Sequence, residues 1–500
     1  MNAAANPAET RRALSVLAAF ALARLVFMAT LGLGRDEAYT LVVSRRLALS
    51  YFDHPPLHQW LAHVAALAFG ETVFARLPFV MLFALAGFAL WELTRRLYDA
   101  RAALAALIAL NVTPFFFASA GSWIVPDGPL LAALALAALA LERLVVETPA
   151  EREVWPLWLA AGAAFGLAGL SKYSAALTSL GALAFLATDP KGRRWLLHPA
   201  PYFAAALAAA IVAPVFVWNA DHGWASFRFQ GGRGAPSDGL DPLAVLAMAL
   251  GEVGYLLPWT CAGLVVAAVA GFSAARRGNS GARLLICLAA PPILVFTITP
   301  LWGGRGLPHW TMPGWFFLYP LLGERLARLG YGRRAAVRAS AFLAVLALVG
   351  VTQTRWGWVE RIAGRPLPDP TLELLDWAPL ADAPALSPRP AFVATTKWWE
   401  AGKVGVALGP ETPIFVFSDD PRGVAFLDRG EDFIGRDGVF VAERRRLPYI
   451  QATLSAYFTR LGAPETLTLG RGDLPEQELV IVPAYGLTRA FPVPYPLGRR

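Results

Sequence analysis

Residues 13–39 read ALSVLAAFALARLVFMATLGLGRDEAY. The run from Ala13 to Leu33 is long enough to cross a bilayer as a helix, which takes about 20 mostly apolar residues. It is long for the apolar core of a signal peptide and carries no evident cleavage site, so it reads as a first transmembrane helix. It ends in Gly34, then Arg35, Asp36 and Glu37. Further apolar stretches follow at roughly 74–94, 102–119, 127–145, 155–171, 174–188, 200–219, 254–275, 282–300, 309–325 and 336–353, which predicts about eleven spans. Two shorter stretches, Pro55–Gly70 and 241–253, read as helices lying on or re-entering the membrane surface.

Composition agrees with that count. Of 500 residues 56% are hydrophobic and only 16% charged, with a mean hydropathy of +0.48. A soluble chain carries about 25% charged residues. So few charges exclude an ordinary cytosolic enzyme, a disordered chain and a disulfide scaffold. The 17 Trp and 39 Pro suit interface anchors and tolerated breaks in spans. Cys261 and Cys287 both fall in apolar runs and read as small buried hydrophobes.

The net charge of +8 raises the question of nucleic acid. The basic residues answer it by their placement. With the N-terminus cytoplasmic, the inner loops up to residue 353 collect eighteen Lys and Arg and the outer loops eight. That is the bias of a multi-pass membrane protein, and no DNA-binding face is implied. An odd number of spans puts residues 354–500 outside. This segment holds half of the chain's 36 acidic residues. Strand-like runs at Ala391–Thr395, Ile414–Phe417, Val439–Val441 and Leu479–Val482, with a helical stretch at Trp398–Leu408, predict a small soluble α/β domain.

Polar residues segregate on the same predicted face. Five of six histidines lie there: His54, His58, His63, His222 and His309. So do Asp36, Asp53, Asp127, Lys172, Arg228 and Arg305, each at the end of a span. Ionisable groups at a membrane are costly and mark function where they persist. The chain has no nucleophile elbow, no phosphate-cradling Gly loop followed by Lys-Ser and no CxxC. Carboxylates beside separate cations suit one chemistry well: attack by an acceptor hydroxyl on an anomeric carbon whose leaving group is a phosphate. The carboxylate takes the hydroxyl proton, the cations hold the phosphate as its charge grows, and a nearby acid stabilises the oxocarbenium-like sugar. A lipid-linked donor explains the membrane setting without a nucleotide cofactor.

Five segments in order sharpen this reading: Arg35-Asp36-Glu37-Ala38-Tyr39, Asp53-His54-Pro55-Pro56-Leu57, Asp127-Gly128-Pro129-Leu130, Gly166-Leu167-Ala168-Gly169-Leu170-Ser171-Lys172 and Gly304-Arg305-Gly306-Leu307-Pro308-His309-Trp310. They resemble the GT-C glycosyltransferases of the protein O-mannosyltransferase and aminoarabinose-transferase superfamily over residues 30–320, and weakly over 354–500. The resemblance implies a GT-C membrane fold, a polyprenyl-phosphate-sugar donor, an acceptor hydroxyl (lipid A or lipopolysaccharide, another glycan, or a protein) and inversion at the anomeric carbon. It implies Asp36 as catalytic carboxylate, Asp127 as a second essential acid, and Lys172 and Arg305 as donor-phosphate ligands, with His54, Arg228 and His309 as further phosphate- or sugar-binding candidates. Where aminoarabinose transferases carry Glu-Lys before Pro-Pro, this chain has Asp53-His54; a protonated His54 would stand in for that lysine. The family's divalent metal, bridging an acid of this segment and a later histidine, would here take Asp53 and His222.

Plainer roles compete. Asp36 and Asp53 are also good helix caps, Asp127 would serve as a structural acid, Lys172 would snorkel at a helix end, and Ser418-Asp419-Asp420-Pro421-Arg422 reads first as a turn. A lipid or glycolipid transporter is the rival function, but transporters keep ionisable groups at mid-membrane and often show inverted repeats, and no repeat is visible. A scaffold presenting residues 354–500 leaves the acids and cations unexplained. The Ala/Arg-rich composition and lack of a transit peptide place the expected enzyme in a bacterial inner membrane, with its site and C-terminal domain periplasmic.

Overall fold

The computed structural model describes residues 6–147, 149–235, 239–304, 306–364, 369–471 and 474–498. Among them eight helices are long and apolar enough to span a membrane: Pro7–Ala29, Val73–Leu97, Asp127–Glu147, Glu151–Ser171, Ala200–Asp221, Pro258–Arg276, Ser280–Trp302 and Arg333–Trp356. A ninth is Ala100–Asn111 with Phe115–Ser122, bent by 83°. Pro114 sits in that break and has no N–H to carry the helix through.

The structure thus has fewer full-length spans than the eleven apolar stretches suggest. Residues 174–188 form a helix of only 14 residues, Ala175–Thr188. The stretch 309–325 is broken into Pro308–Trp310, Met312–Phe316 and Tyr319–Arg328. Pro308, Pro313 and Pro320 account for the breaks, because each lies at the first turn of a new piece, where its missing N–H costs nothing. Apolar length is a property of composition, whereas helix continuity depends on backbone donors.

Small residues let the helices approach closely. A side chain at Gly162 would collide with the carbonyl oxygen of Ala204, so Glu151–Ser171 packs nearly backbone to backbone on Ala200–Asp221. The main apolar core runs through Phe83, Phe116, Leu134, Phe185, Leu285 and Tyr319.

Beyond Trp356 the chain forms a six-stranded sheet: β1 (Phe392–Thr395), β2 (Ile414–Val416), β3 (Gly438–Glu443), β4 (Phe458–Leu461), β5 (Glu465–Arg471) and β6 (Leu474–Leu487). The order is β2-β1-β3-β6-β4, with β5 also on β6. β1 runs parallel to β2 and β3, and the remaining pairs are antiparallel. The helix Trp398–Leu408 has the bounds expected from its sequence.

This sheet region is bolted to the turn after the first helix. Lys403 donates to the carbonyls of Leu33 and Leu375. Arg45 holds both oxygens of Glu71 and also the carbonyl of Gly405. Tyr39 and Val43 share one core with Val393, Ala401 and Val404. At Gly402 a side chain would meet the backbone nitrogen of Tyr39 at 2.5 Å. Gly402→Ala must therefore push the helices Arg35–Ser44 and Trp398–Leu408 apart. The expected cost is about 1–3 kcal/mol, read as a lower unfolding temperature in detergent and faster proteolytic release of residues 369–498.

Candidate functional site

Where the helix ends meet the sheet region lies a cavity of about 790 Å3. It gathers Asp36, Asp53, His54, Asp127, Lys172 and His309, all predicted site residues separated by up to 273 positions. Part of the lining is apolar and comes from the spans, with Phe27, Phe115, Phe117, Leu343 and Leu346, and from Leu31 just after the first of them. Trp398, Trp399 and Arg422 of the sheet region add an aromatic and charged part of the lining.

Asp36 is the second residue of the helix Arg35–Ser44, where the helix dipole favours an anion. Its carboxylate is open to the cavity, and none of the described residues hydrogen-bonds it. Asp36 is itself exposed to the cavity, but the protein around it displaces bulk water and pushes the carboxyl up to about 6; Arg422 opposes the rise, while Asp53, Glu373 and Glu37 add to it. Such a group changes charge close to neutral pH. Its neighbour Glu37 points the other way. Glu37 is buried, chelated by Arg76 at 2.6 and 2.7 Å, and takes N–H bonds from Gly34 and Ile124. Asp36 is thus unpaired and faces the cavity, while Glu37 holds the turn that presents it.

Asp127 opens the helix Asp127–Leu141, and Lys172 follows the helix Glu151–Ser171. Lys172 Nζ lies 2.9 and 3.2 Å from the two Asp127 oxygens, and both side chains are buried. Two residues expected to act separately are one ion pair. His54 and His309 line the same end of the cavity. Burial, reinforced by the Lys172 charge, brings His54 down to about 3 and His309 to about 4. Both imidazoles are neutral at physiological pH. The expectation that a protonated His54 replaces a lysine is therefore corrected: a buried ring beside an ammonium does not hold a second positive charge.

The helix Ala225–Arg233 sorts its two arginines by phase. Arg228, a predicted ligand, is exposed and does not line the cavity; Arg233, five residues on and about 140° round the helix, does. The Arg233 guanidinium lies 4.6 Å from the Trp310 ring centre, and no described carboxylate comes within 4.0 Å. Arg233 was missed because both arginines occur in one short polar stretch, and only the register of the helix separates them.

The predicted metal pair is not assembled. Asp53 Oδ1 accepts from the Tyr39 hydroxyl at 3.1 Å, and Oδ2 faces Arg422 at 3.8 Å. The His222 ring instead stacks on Trp218 at 4.0 Å, gives Nδ1–H to the Trp218 carbonyl and lies outside the cavity lining. Among the described residues no three His, Cys, Asp or Glu side chains are placed to hold a metal ion. The donor set does not fit a divalent cation at this pair, and no chemical step is routed through one. Arg305 lies outside the described residues; Leu307, His309 and Trp310, just after it, line the cavity.

Residues 53–218 match the family profile described as dolichyl-phosphate-mannose-protein mannosyltransferase. No curated protein matches the chain by sequence. Among solved structures, ArnT from Cupriavidus metallidurans in the apo state superposes with a TM-score of 0.65 at 16% identity, covering 95% of this chain and 98% of that one. The same protein bound to undecaprenyl phosphate gives 0.63 at 16% identity, covering 94% and 97%.

This chain has the GT-C-type membrane fold, as ArnT does.

Within that GT-C fold the profile match spans three of the five motifs, those carrying Asp53, Asp127 and Lys172. The GT-C likeness extends through the sheet region, since it covers nearly the whole chain. Tyr39, Arg233, Trp398 and Arg422 are among the cavity residues that sequence reasoning did not single out. Tyr39 sat in a quoted motif and Arg422 in a quoted loop, but neither pattern says what it faces.

Proposed function

We propose that this protein is a membrane glycosyltransferase that moves a sugar from a polyprenyl-phosphate donor to an acceptor hydroxyl, with inversion at the anomeric carbon. The observation that carries the reading is Asp36: an unpartnered carboxylate, poised near neutral pH, facing a cation-lined, partly apolar cavity. The lipid tail lies along Phe27, Phe115, Leu343 and Leu346, and the phosphate is held by Arg233 and by the ammonium of Lys172. Asp36 accepts the proton of the acceptor hydroxyl as its oxygen bonds to the anomeric carbon. The bond from that carbon to the phosphate oxygen breaks, and its electron pair leaves with the lipid phosphate, where the cations stabilise it. Asp127 steadies the positive charge that develops on the sugar. His54 and His309, both neutral, are hydrogen-bond partners for sugar hydroxyls. A single displacement inverts the carbon. The acceptor is a lipid A or lipopolysaccharide sugar, another glycan or a protein hydroxyl, reached on the periplasmic side of a bacterial inner membrane.

The test is transfer or hydrolysis of labelled polyprenyl-phosphate sugars by the purified protein in vesicles. It is joined to mass spectrometry of membrane glycolipids and glycoproteins from cells with and without the gene. One sugar missing from one acceptor supports the reading; no turnover of any donor and no missing sugar overturn it. The pH profile is a further expected result. The base is active when ionised, so the rate rises with pH through about 6 and levels above it. Below that point it falls about tenfold per pH unit. A rate flat from pH 4.5 to 8 would remove Asp36 from the role of base.

A further inference from the structure

Arg422 belongs to the sheet region, 369 positions from Asp53, yet it lines the same cavity. Its backbone has φ +47°, one of three non-glycine residues with positive φ among those described. A left-handed arginine is strained and persists only where its surroundings over-determine it. Here they do. The Tyr495 hydroxyl donates to the Arg422 carbonyl at 2.6 Å. The next N–H, of Gly423, donates to the Tyr39 hydroxyl at 2.8 Å, and that hydroxyl donates to Asp53 at 3.1 Å. The guanidinium itself lies 3.9 Å over the Trp398 ring and 3.8 Å from Asp53.

The charges around Asp36 show what this achieves. From its own helix come Glu37, neutralised by Arg76, and Arg35, which reaches back to Glu373 at 3.3 Å and stacks on Trp399. From the loop before Leu57 comes Asp53, and from the turn Pro370–Leu374 comes Glu373. Across the cavity Lys172 is engaged by Asp127. From the helix Ala225–Arg233 comes Arg233, whose charge also reaches Asp36 and Asp53, and Asp420 lies 3.5 Å from the Arg422 guanidinium. Three carboxylates therefore crowd Asp36, and of the arginines Arg422 counters them most strongly.

We infer that Arg422 is a positioning residue of the transfer site: supplied by the sheet region, it braces Asp53 against Tyr39 and faces Asp36, so the site is complete only with that region docked. The inference rests on the transferase reading for its catalytic consequence, not for its electrostatics. Without the guanidinium, Asp36 keeps its proton to higher pH, and the fraction of active base at neutral pH falls.

The test uses full-length protein in vesicles, with Arg422→Gln and Arg422→Lys. Titration of Asp36 is read by difference infrared spectroscopy as the carboxyl band that Asp36→Asn abolishes. Transfer or hydrolysis is read as a function of pH with a polyprenyl-phosphate-linked labelled hexose. Arg422→Gln should move both the carboxyl titration and the acidic limb up by about one unit or more, so that activity lost at pH 7 returns by pH 8.5. Arg422→Lys keeps the charge without the planar stack, and its titration should fall between wild type and Arg422→Gln; it carries the test if the glutamine variant does not fold. An unchanged titration in a folded variant overturns the inference, as does an equal loss of rate at every pH. If wild type turns over no donor, the transferase reading falls, while the infrared titration still decides Arg422.

Discussion

Asp36→Asn should lower sugar transfer by about 10²- to 10⁴-fold, the usual worth of a general base, while leaving the protein folded. The substitution keeps the shape of the side chain and removes its charge. No described residue hydrogen-bonds the carboxylate, so no partner is orphaned. Its folded-state pKa of about 6 lies above the ordinary 3.8, so the ionised form is disfavoured by the fold and stability falls as pH rises through that window. An uncharged isostere escapes that penalty, and the unfolding temperature of Asp36→Asn at pH 7 should equal or exceed that of wild type. Rate and melting temperature measured on one preparation separate the two effects. Full transfer by Asp36→Asn would leave the reaction without its base.

The neighbouring acid should behave in the opposite way. Glu37→Gln or Arg76→Ala should each destabilise the protein by about 3–5 kcal/mol, the cost of leaving half of a buried ion pair unpaired. Arg76 gives two bonds to Glu37, at 2.7 and 2.6 Å, and three to the carbonyls of Met28, Leu31 and Gly32. Glu37 collects the N–H groups of Gly34 and Ile124. One pair thus ties the end of the first helix, the start of the helix bearing Asp36, the segment entering Asp127 and the helix Val73–Leu97. Burial works against the Glu37 charge, but Arg76 and the two N–H bonds outweigh it and hold the carboxyl below its ordinary range. Its stabilising contribution is then complete above the ordinary 4.5 and is lost only as pH falls through the lowered value. The double variant Glu37→Leu/Arg76→Met removes both charges, and its cost should be well below the sum of the two singles. Chemical unfolding in detergent gives all three numbers. Additive costs would mean that the two side chains act independently.

The contrast between Asp36 and Glu37 shows where sequence reading stops. Both acids stand in one motif, at the end of one span, in residue types that suit either role. Asp36 faces a void and Glu37 faces Arg76, 39 positions away, and only the packed chain distinguishes them. The same limit applies to Lys172, whose ammonium is visible in the sequence but whose partner Asp127 is not, and to Arg233 against Arg228, where a helix phase decides. The C-terminal region divides along a related line. β1 and β3 are buried on both faces, and β6 over its central part, so they stand out as apolar runs. β4 and β5 are edge strands with exposed Thr459, Arg460 and Thr466. Their stability comes from pairing with β6, so their own composition hardly marks them.

Hydropathy and local spacing by themselves determined that this is a multi-span membrane chain, that its acids, histidines and cations cluster at span ends, and that the helix Trp398–Leu408 sits among strands. Those features follow from transfer out of water and from backbone geometry, which act over a few residues at a time. Folding alone decided that the spans are fewer than the apolar stretches, that Lys172 pairs with Asp127, that His54 is neutral, that Asp53 faces Tyr39 and Arg422 while His222 stacks on Trp218, and that Arg422 enters the cavity beside Asp36. Charges find partners through space, and in this chain the partners that set the site are tens to hundreds of residues apart.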